Sequence, residues 1–181
     1  MTMEGREDFT SHTTTAPQSS LIPTPRKSIM TSSPDTVFAA LHEAARTAVG
    51  ARLFTVTVLD RKAGLSRRAY TSHPAEYPTS GTKPMRSDGW TDLVLGEQKS
   101  FIANTTPEFA VYFSDHALIN QLGCHSAMNI PVPDGGMVVG TVNILDAEGH
   151  FTPERVAKLE ALVEEHRAAL LDAMARVPME A

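Results

Sequence analysis

The sequence predicts an α+β domain in which a central antiparallel sheet carries helices from both ends of the chain. Three observations lead there. Leu118–Leu145 reads as a short helix ending at Gly123, a strand over Ser126–Val132, a tight turn at Pro133–Gly136 and a strand over Met137–Leu145. Apolar residues stand at both parities of those strands, as two-sided burial of a central hairpin demands. A second strand pair, Leu53–Asp60 and Leu65–Tyr70, is joined by Arg61-Lys62-Ala63-Gly64, and helix-opening signals stand on either side of the strands.

Those signals have the same form twice. Ser33-Pro34-Asp35 and Thr152-Pro153-Glu154 each supply a capping hydroxyl, a proline at the first helical position and an acid in the first turn. Val37, Phe38, Leu41, Ala44, Ala45 and Ala48 follow helical spacing up to Gly50. Val156, Leu159, Val163, His166, Leu170, Ala173 and Val177 form the stripe of the last helix, broadened by Leu162 and Ala169. A stripe that wide predicts packing on the sheet and on something more, with His166 as a seam or core residue.

Composition narrows the class. A chain of 181 residues with a net charge of −5 and one cysteine fits one domain. No cluster of Lys and Arg is present to meet a phosphate backbone or an anionic membrane, and no apolar run approaches the roughly 20 residues a bilayer requires. Cys124 has no partner for an intrachain disulfide. A cytoplasmic protein with no membrane, nucleic-acid or cofactor partner is expected. Met1–Ser33, rich in Thr, Ser and Pro, reads as a disordered tail or as an arm whose Leu21-Ile22-Pro23 lies on a partner subunit.

Between the strand pairs, Thr71–Asn104 is expected to be a lid. Its opening Ser72–Pro84 is too rich in Pro, Gly and Ser for regular structure, and so long a loop is usually functional or mobile. Thr91–Leu95 then reads as a short helix, Ser100–Ala103 as an edge strand and Pro107–Phe113 as a helical turn, with Ser114 capping the helix that ends at Gly123. Alternation sets Phe54, Val56 and Val58 opposite to Thr55 and Thr57, and sets Met128, Ile130, Val142 and Ile144 opposite to Asn129, Thr141 and Asn143.

Leu122-Gly123 followed by Ser126 and Asn129-Ile130-Pro131-Val132, then Gly140-Thr141-Val142-Asn143-Ile144, then Phe151-Thr152-Pro153, resemble the central strands and last-helix start of the GAF domain family. The resemblance covers about residues 34–177 and implies a GAF-like fold of the PAS/GAF superfamily over 34–181. It implies N- and C-terminal helices on one sheet face and a ligand pocket under a lid on the other. It also implies a homodimer through the first and last helices. The lid residues Ser72, Pro74, Tyr77, Pro78, Gly81, Lys83 and Trp90 are similar to those of stand-alone, single-domain GAF proteins.

With strands aligned as in that family, one face is apolar and the other carries Thr55, Thr57, Asn129, Thr141 and Asn143. Buried amides need partners, so they either satisfy one another or orient a polar ligand. Lys83, held among prolines, is the expected anchor for an anionic group, with Tyr77 and Trp90 as walls, Tyr112, Phe113 and His116 approaching the same cavity and Arg86 assisting. Of Arg67 and Arg68, only one can face the cavity. The expected ligand-binding set is therefore Thr55, Thr57, Tyr77, Lys83, Trp90, Tyr112, Asn129 and Asn143, for a small polar or anionic metabolite. No kinase, cyclase, phosphodiesterase or helix-turn-helix segment is read, so such a sensor would act through another chain.

The alternative is a small hydrolase or lyase with Cys124 or His116 as reactive group. The family's methionine sulfoxide reductases use several cysteines, which a single Cys124 does not provide. No metal-ligand spacing, cyclic-nucleotide signature or phosphate loop is present, so no metal is expected.

Overall fold

The computed structural model describes residues 32–179. Residues 1–31, including the Leu21-Ile22-Pro23 of the expected arm, lie outside the described residues. A six-stranded antiparallel sheet is built from β1 (Leu53–Asp60), β2 (Leu65–Thr71), β3 (Lys83–Pro84), β4 (Phe101–Ala103), β5 (Ser126–Asp134) and β6 (Met137–Asp146), in the order β3-β2-β1-β6-β5-β4. The β5–β6 hairpin closes through Gly135 and Gly136, both at positive φ (53° and 84°), which is the requirement of a tight two-residue turn. Every neighbouring pair is antiparallel.

Pairing carries the alternation of each strand across the sheet. Phe54 stands opposite Ile144 and Val56 opposite Val142, while Met128 and Ile130 meet the same two partners from β5. Their face packs on α1 (Pro34–Ala48), α5 (Pro153–Glu165) and α6 (Arg167–Ala175), through Phe38, Leu41, Leu159, Val163, Leu170 and Met174. On the reverse, Leu53, Leu145 and Val138 form a second core with Val94, Phe109 and Ile119, contributed by the segments between β3 and β5. A bulge between Val132 and Pro133 shifts the parity, so Val138 joins this second core while Val139 packs with the first.

The helix caps form as the sequence predicts: Ser33 Oγ accepts from Thr36 N at 3.2 Å and Thr152 Oγ1 from Arg155 N at 3.3 Å. Four local expectations are corrected. The last helix is not continuous, because at His166 (φ −91°, ψ 2°) the backbone leaves helical geometry and both the His166 N–H and its Nδ1 meet the Leu162 carbonyl, at 3.2 and 2.9 Å. The stripe keeps its phase across the break: Leu159, Val163, Leu170 and Ala173 are buried in one core, joined by Met174, while Ala169 is exposed. Ser114 does not cap the fourth helix, α4 (His116–Gln121), whose N-cap position is Asp115. The helix expected at Thr91 begins earlier as α2 (Gly89–Thr91) and continues as a π-helical turn over Asp92–Gly96. The lid includes regular structure, since Lys83 and Pro84 pair with Ser66 and Leu65.

The intervening helix α3 (Thr106–Ala110) buries Phe109. Among the described residues the exposed large apolar side chains are Ile102, Val111 and Met137, none of them on α1, α5 or α6, where Val37, Val156, Leu162 and Leu171 are partly buried. No described helix is long and apolar enough to cross a membrane.

Two predictions follow from this packing. A Cβ at Gly140 would lie 2.5 Å from the Thr57 carbonyl and 2.8 Å from Met174 Sδ, so Gly140→Ala is expected to lower stability by about 1–3 kcal/mol in urea unfolding. Burial lowers the affinity of the His42 and His150 imidazoles for protons below the usual 6.5. The unfolded chain then binds more protons than the folded one as pH falls through 6.5, so urea midpoints should fall on that side of neutrality, and His42→Gln should flatten the slope.

Candidate functional site

β1, β5 and β6 turn a polar surface away from the terminal helices because Thr55, Thr57, Asn129, Thr141 and Asn143 alternate with the apolar set. Thr55 pairs with Asn143 and Asn143 with Asn129, forming one row across three strands. Thr57 pairs with Thr141 in the next. These residues floor a cavity of about 350 Å³. Its walls come from β2, the lid and the helical segments that follow, including Arg68, Tyr77, Lys83, Arg86, Trp90 and Tyr112.

The floor is joined by hydrogen bonds. Trp90 Nε1 donates to Asn129 Oδ1 at 2.7 Å, and Asn129 Nδ2 donates to Asn143 Oδ1 at 2.8 Å. Asn143 Nδ2 donates to Thr55 Oγ1 at 3.1 Å and to Thr57 Oγ1 at 3.2 Å. The asparagines bond to each other, as the first of the two readings expects, and both also line the cavity. Asn129 and Asn143 are only 4% and 8% exposed, where an unpaired amide would cost about 1–3 kcal/mol.

A second cluster ties the lid down. The Arg68 guanidinium lies 3.6 Å from the Tyr77 ring centroid, donates to the Pro78 carbonyl at 2.9 Å and stands 3.7 Å from Asp115 Oδ2. Tyr77 donates its hydroxyl to the same Asp115 oxygen at 2.6 Å. Burial, the largest cause, and the neighbouring carboxylate push the Tyr77 phenol well above its ordinary range, against the opposing pull of Arg68. It is a neutral donor at physiological pH. Asp88 caps α2, accepting from Thr91 N at 3.0 Å. Lys83 and Arg86 are exposed at the cavity.

All eight residues of the expected set line this cavity: Thr55, Thr57, Tyr77, Lys83, Trp90, Tyr112, Asn129 and Asn143. Of the arginine pair, Arg68 faces it. Sequence reasoning missed Asp88, Asp115 and Ser66. Asp88 and Asp115 look like ordinary helix-start residues, and neither strand parity nor loop composition announces that they also border a pocket.

The two candidate reactive groups are not in the cavity lining. Cys124 is fully buried in the second core, and burial, aided by Asp146, pushes its thiol up to about 11. The His116 imidazole Nδ1 is 2.9 Å from the Phe113 carbonyl. His125, which follows Cys124 in the chain, contacts Thr106 Oγ1 through Nδ1 at 3.2 Å. Among the described residues no group of three or more His, Cys, Asp or Glu is placed to hold a metal ion. Iodoacetamide at pH 8 is expected to label native Cys124 at least roughly a hundredfold more slowly than the urea-unfolded chain, because the attacking species is the thiolate and burial opposes it. Comparable rates in a mass-spectrometric time course would show an accessible thiol.

Residues 31–170 match the family model described as "GAF domain". Among solved structures, the GAF domain/HD domain protein from Geobacter sulfurreducens superposes with a TM-score of 0.64 at 13% identity, over 81% of this chain and 98% of that one. The GAF domain of a two-component sensor histidine kinase from Bacillus halodurans gives 0.62 at 12% identity, over 77% and 95%. The GAF domain from a phosphoenolpyruvate-protein phosphotransferase of Coxiella burnetii gives 0.60 at 20% identity, over 80% and 88%. At these identities the structural likeness establishes the fold. No curated protein sequence matches the chain. With the family model matched over most of its length and the sheet, helices and pocket face arranged as described, the chain belongs to the GAF domain family.

Proposed function

We propose that this chain is a regulatory binding module for a small anionic metabolite, held against the polar floor of the cavity with Lys83 as its anchor. GAF domains are generally small-molecule-binding sensory or regulatory modules, which is the frame for this reading. The observation that carries it is the joined row of Trp90, Asn129, Asn143 and the two threonines fronting a solvent-connected cavity. A purely structural network has no need of a pocket beside it.

Size and charge support the rest. About 350 Å³ falls at the small end of the roughly 300–1,000 Å³ of small-molecule sites. Three basic residues, Arg68, Lys83 and Arg86, border it against two acidic ones, Asp88 and Asp115, and both acids already accept hydrogen bonds from the protein. A hydrolase or lyase using Cys124 or His116 has no such support, because neither side chain borders the cavity.

A thermal-shift panel of small carboxylates and phosphorylated metabolites against neutral and cationic analogues tests the reading. At least one anion should raise the melting temperature, since binding to the folded state alone stabilises it. Lys83→Ala should weaken that anion about tenfold or more, the scale of one charge-assisted hydrogen bond, while the unliganded melting temperature stays within a degree or so. A panel in which no anion stabilises the protein would rule the reading out.

A further inference from the structure

Trp90 sets the direction of the hydrogen bonds across the cavity floor. An indole nitrogen can only donate, so the atom of Asn129 that meets it at 2.7 Å is the carbonyl oxygen. The amide nitrogen of Asn129 is thereby turned to Asn143 and requires its oxygen, at 2.8 Å. Asn143 must then present its own amide nitrogen to β1, where both Thr55 and Thr57 accept from it. Two hydroxyl groups that accept on that side keep their own hydrogens for another partner.

Thr141 adds a third hydroxyl. It stands opposite Thr57 in the β1–β6 ladder, is 1% exposed and lines the cavity, and its hydroxyl makes no hydrogen bond among the described residues. One N–H of Asn129 is also left over, because only one goes to Asn143. The floor thus holds three hydroxyl hydrogens and one amide N–H that no protein acceptor takes up, although each hydroxyl also keeps a lone pair. The aromatic side chains of Trp90, Tyr112 and Phe113 border the same space, and the indole plane is fixed by its bond to Asn129.

On the anion-binding reading above, we propose that the ligand is a monocyclic aromatic carboxylate that seats its carboxylate oxygens on the hydroxyls of Thr55, Thr57 and Thr141. An ammonium or other pure donor at that end could reach hydroxyl lone pairs but would leave the Asn129 N–H and the hydroxyl hydrogens without an acceptor, which a carboxylate supplies. A site built to bond one polarity discriminates strongly against the other.

The test uses benzoate, benzamide and benzylamine as a matched set at millimolar concentration. Binding is read by thermal shift and by the ¹⁵N–¹H signal of the indole, unambiguous because Trp90 is the chain's single tryptophan. Benzoate and, more weakly, benzamide should move the signal and raise the melting temperature, and benzylamine should do neither. Thr141→Val should weaken benzoate roughly tenfold while the unliganded melting temperature holds, because the hydroxyl faces the cavity and has no protein partner to lose. Thr141→Ser should restore binding. Trp90→Phe releases Asn129 to turn over, and should narrow the preference for benzoate over benzylamine among the binding that remains.

Equal binding of benzylamine, no effect of benzoate, or unchanged benzoate affinity in Thr141→Val each overturns this proposal. If other organic anions still stabilise the protein, the anion-binding reading survives that result. If none does, both fall.

Discussion

The site depends on the register that places Thr55, Asn143 and Asn129 side by side on three neighbouring strands. A slip of one residue in either ladder would turn an amide into the apolar face and leave it without a partner. Held in register, the same residues satisfy each other and present a polar surface beside a cavity. Stability and recognition therefore draw on one set of hydrogen bonds, which begins at an indole in the lid and ends on β1.

The lid is an extension of that arrangement. Trp90 bonds the floor directly, and Arg68 fastens the preceding loop by lying on Tyr77 and reaching Asp115 at the start of α4. Because β3 adds only two residues to the sheet edge, much of the lid's position comes from these side-chain contacts. The basic residues Lys83 and Arg86 stay exposed. The two acids are turned to structural partners, which leaves the cavity with positive charge that the protein itself does not neutralise by any described ion pair to Lys83 or Arg86.

On the opposite face the physics is different. Phe38, Leu41, Leu159, Leu170 and their sheet partners are fully or almost fully buried, and packing there is close enough that Gly140 leaves no space for a Cβ. Across the interruption at His166 the last two helices present Leu159 and Val163, then Leu170, Ala173 and Met174, to one core.

Alternation, capping residues and the double glycine turn determined from sequence alone the strands, the terminal helices and the separation of an apolar from a polar sheet face. These are local or period-two properties, written into neighbouring residues such as Phe54 and Thr55 or Ser33 and Pro34. The pocket-lining set was legible for the same reason, since parity selects Thr55, Thr57, Asn129 and Asn143 and the lid composition selects Tyr77, Lys83 and Trp90. What only the tertiary structure decided is which groups meet across distance: that the Asp115 carboxylate receives the Tyr77 hydroxyl and makes no cap bond, and that Cys124 is sealed in a core. Both depend on packing between segments far apart in the chain, where a residue's type permits several roles and only the neighbours that surround it choose one.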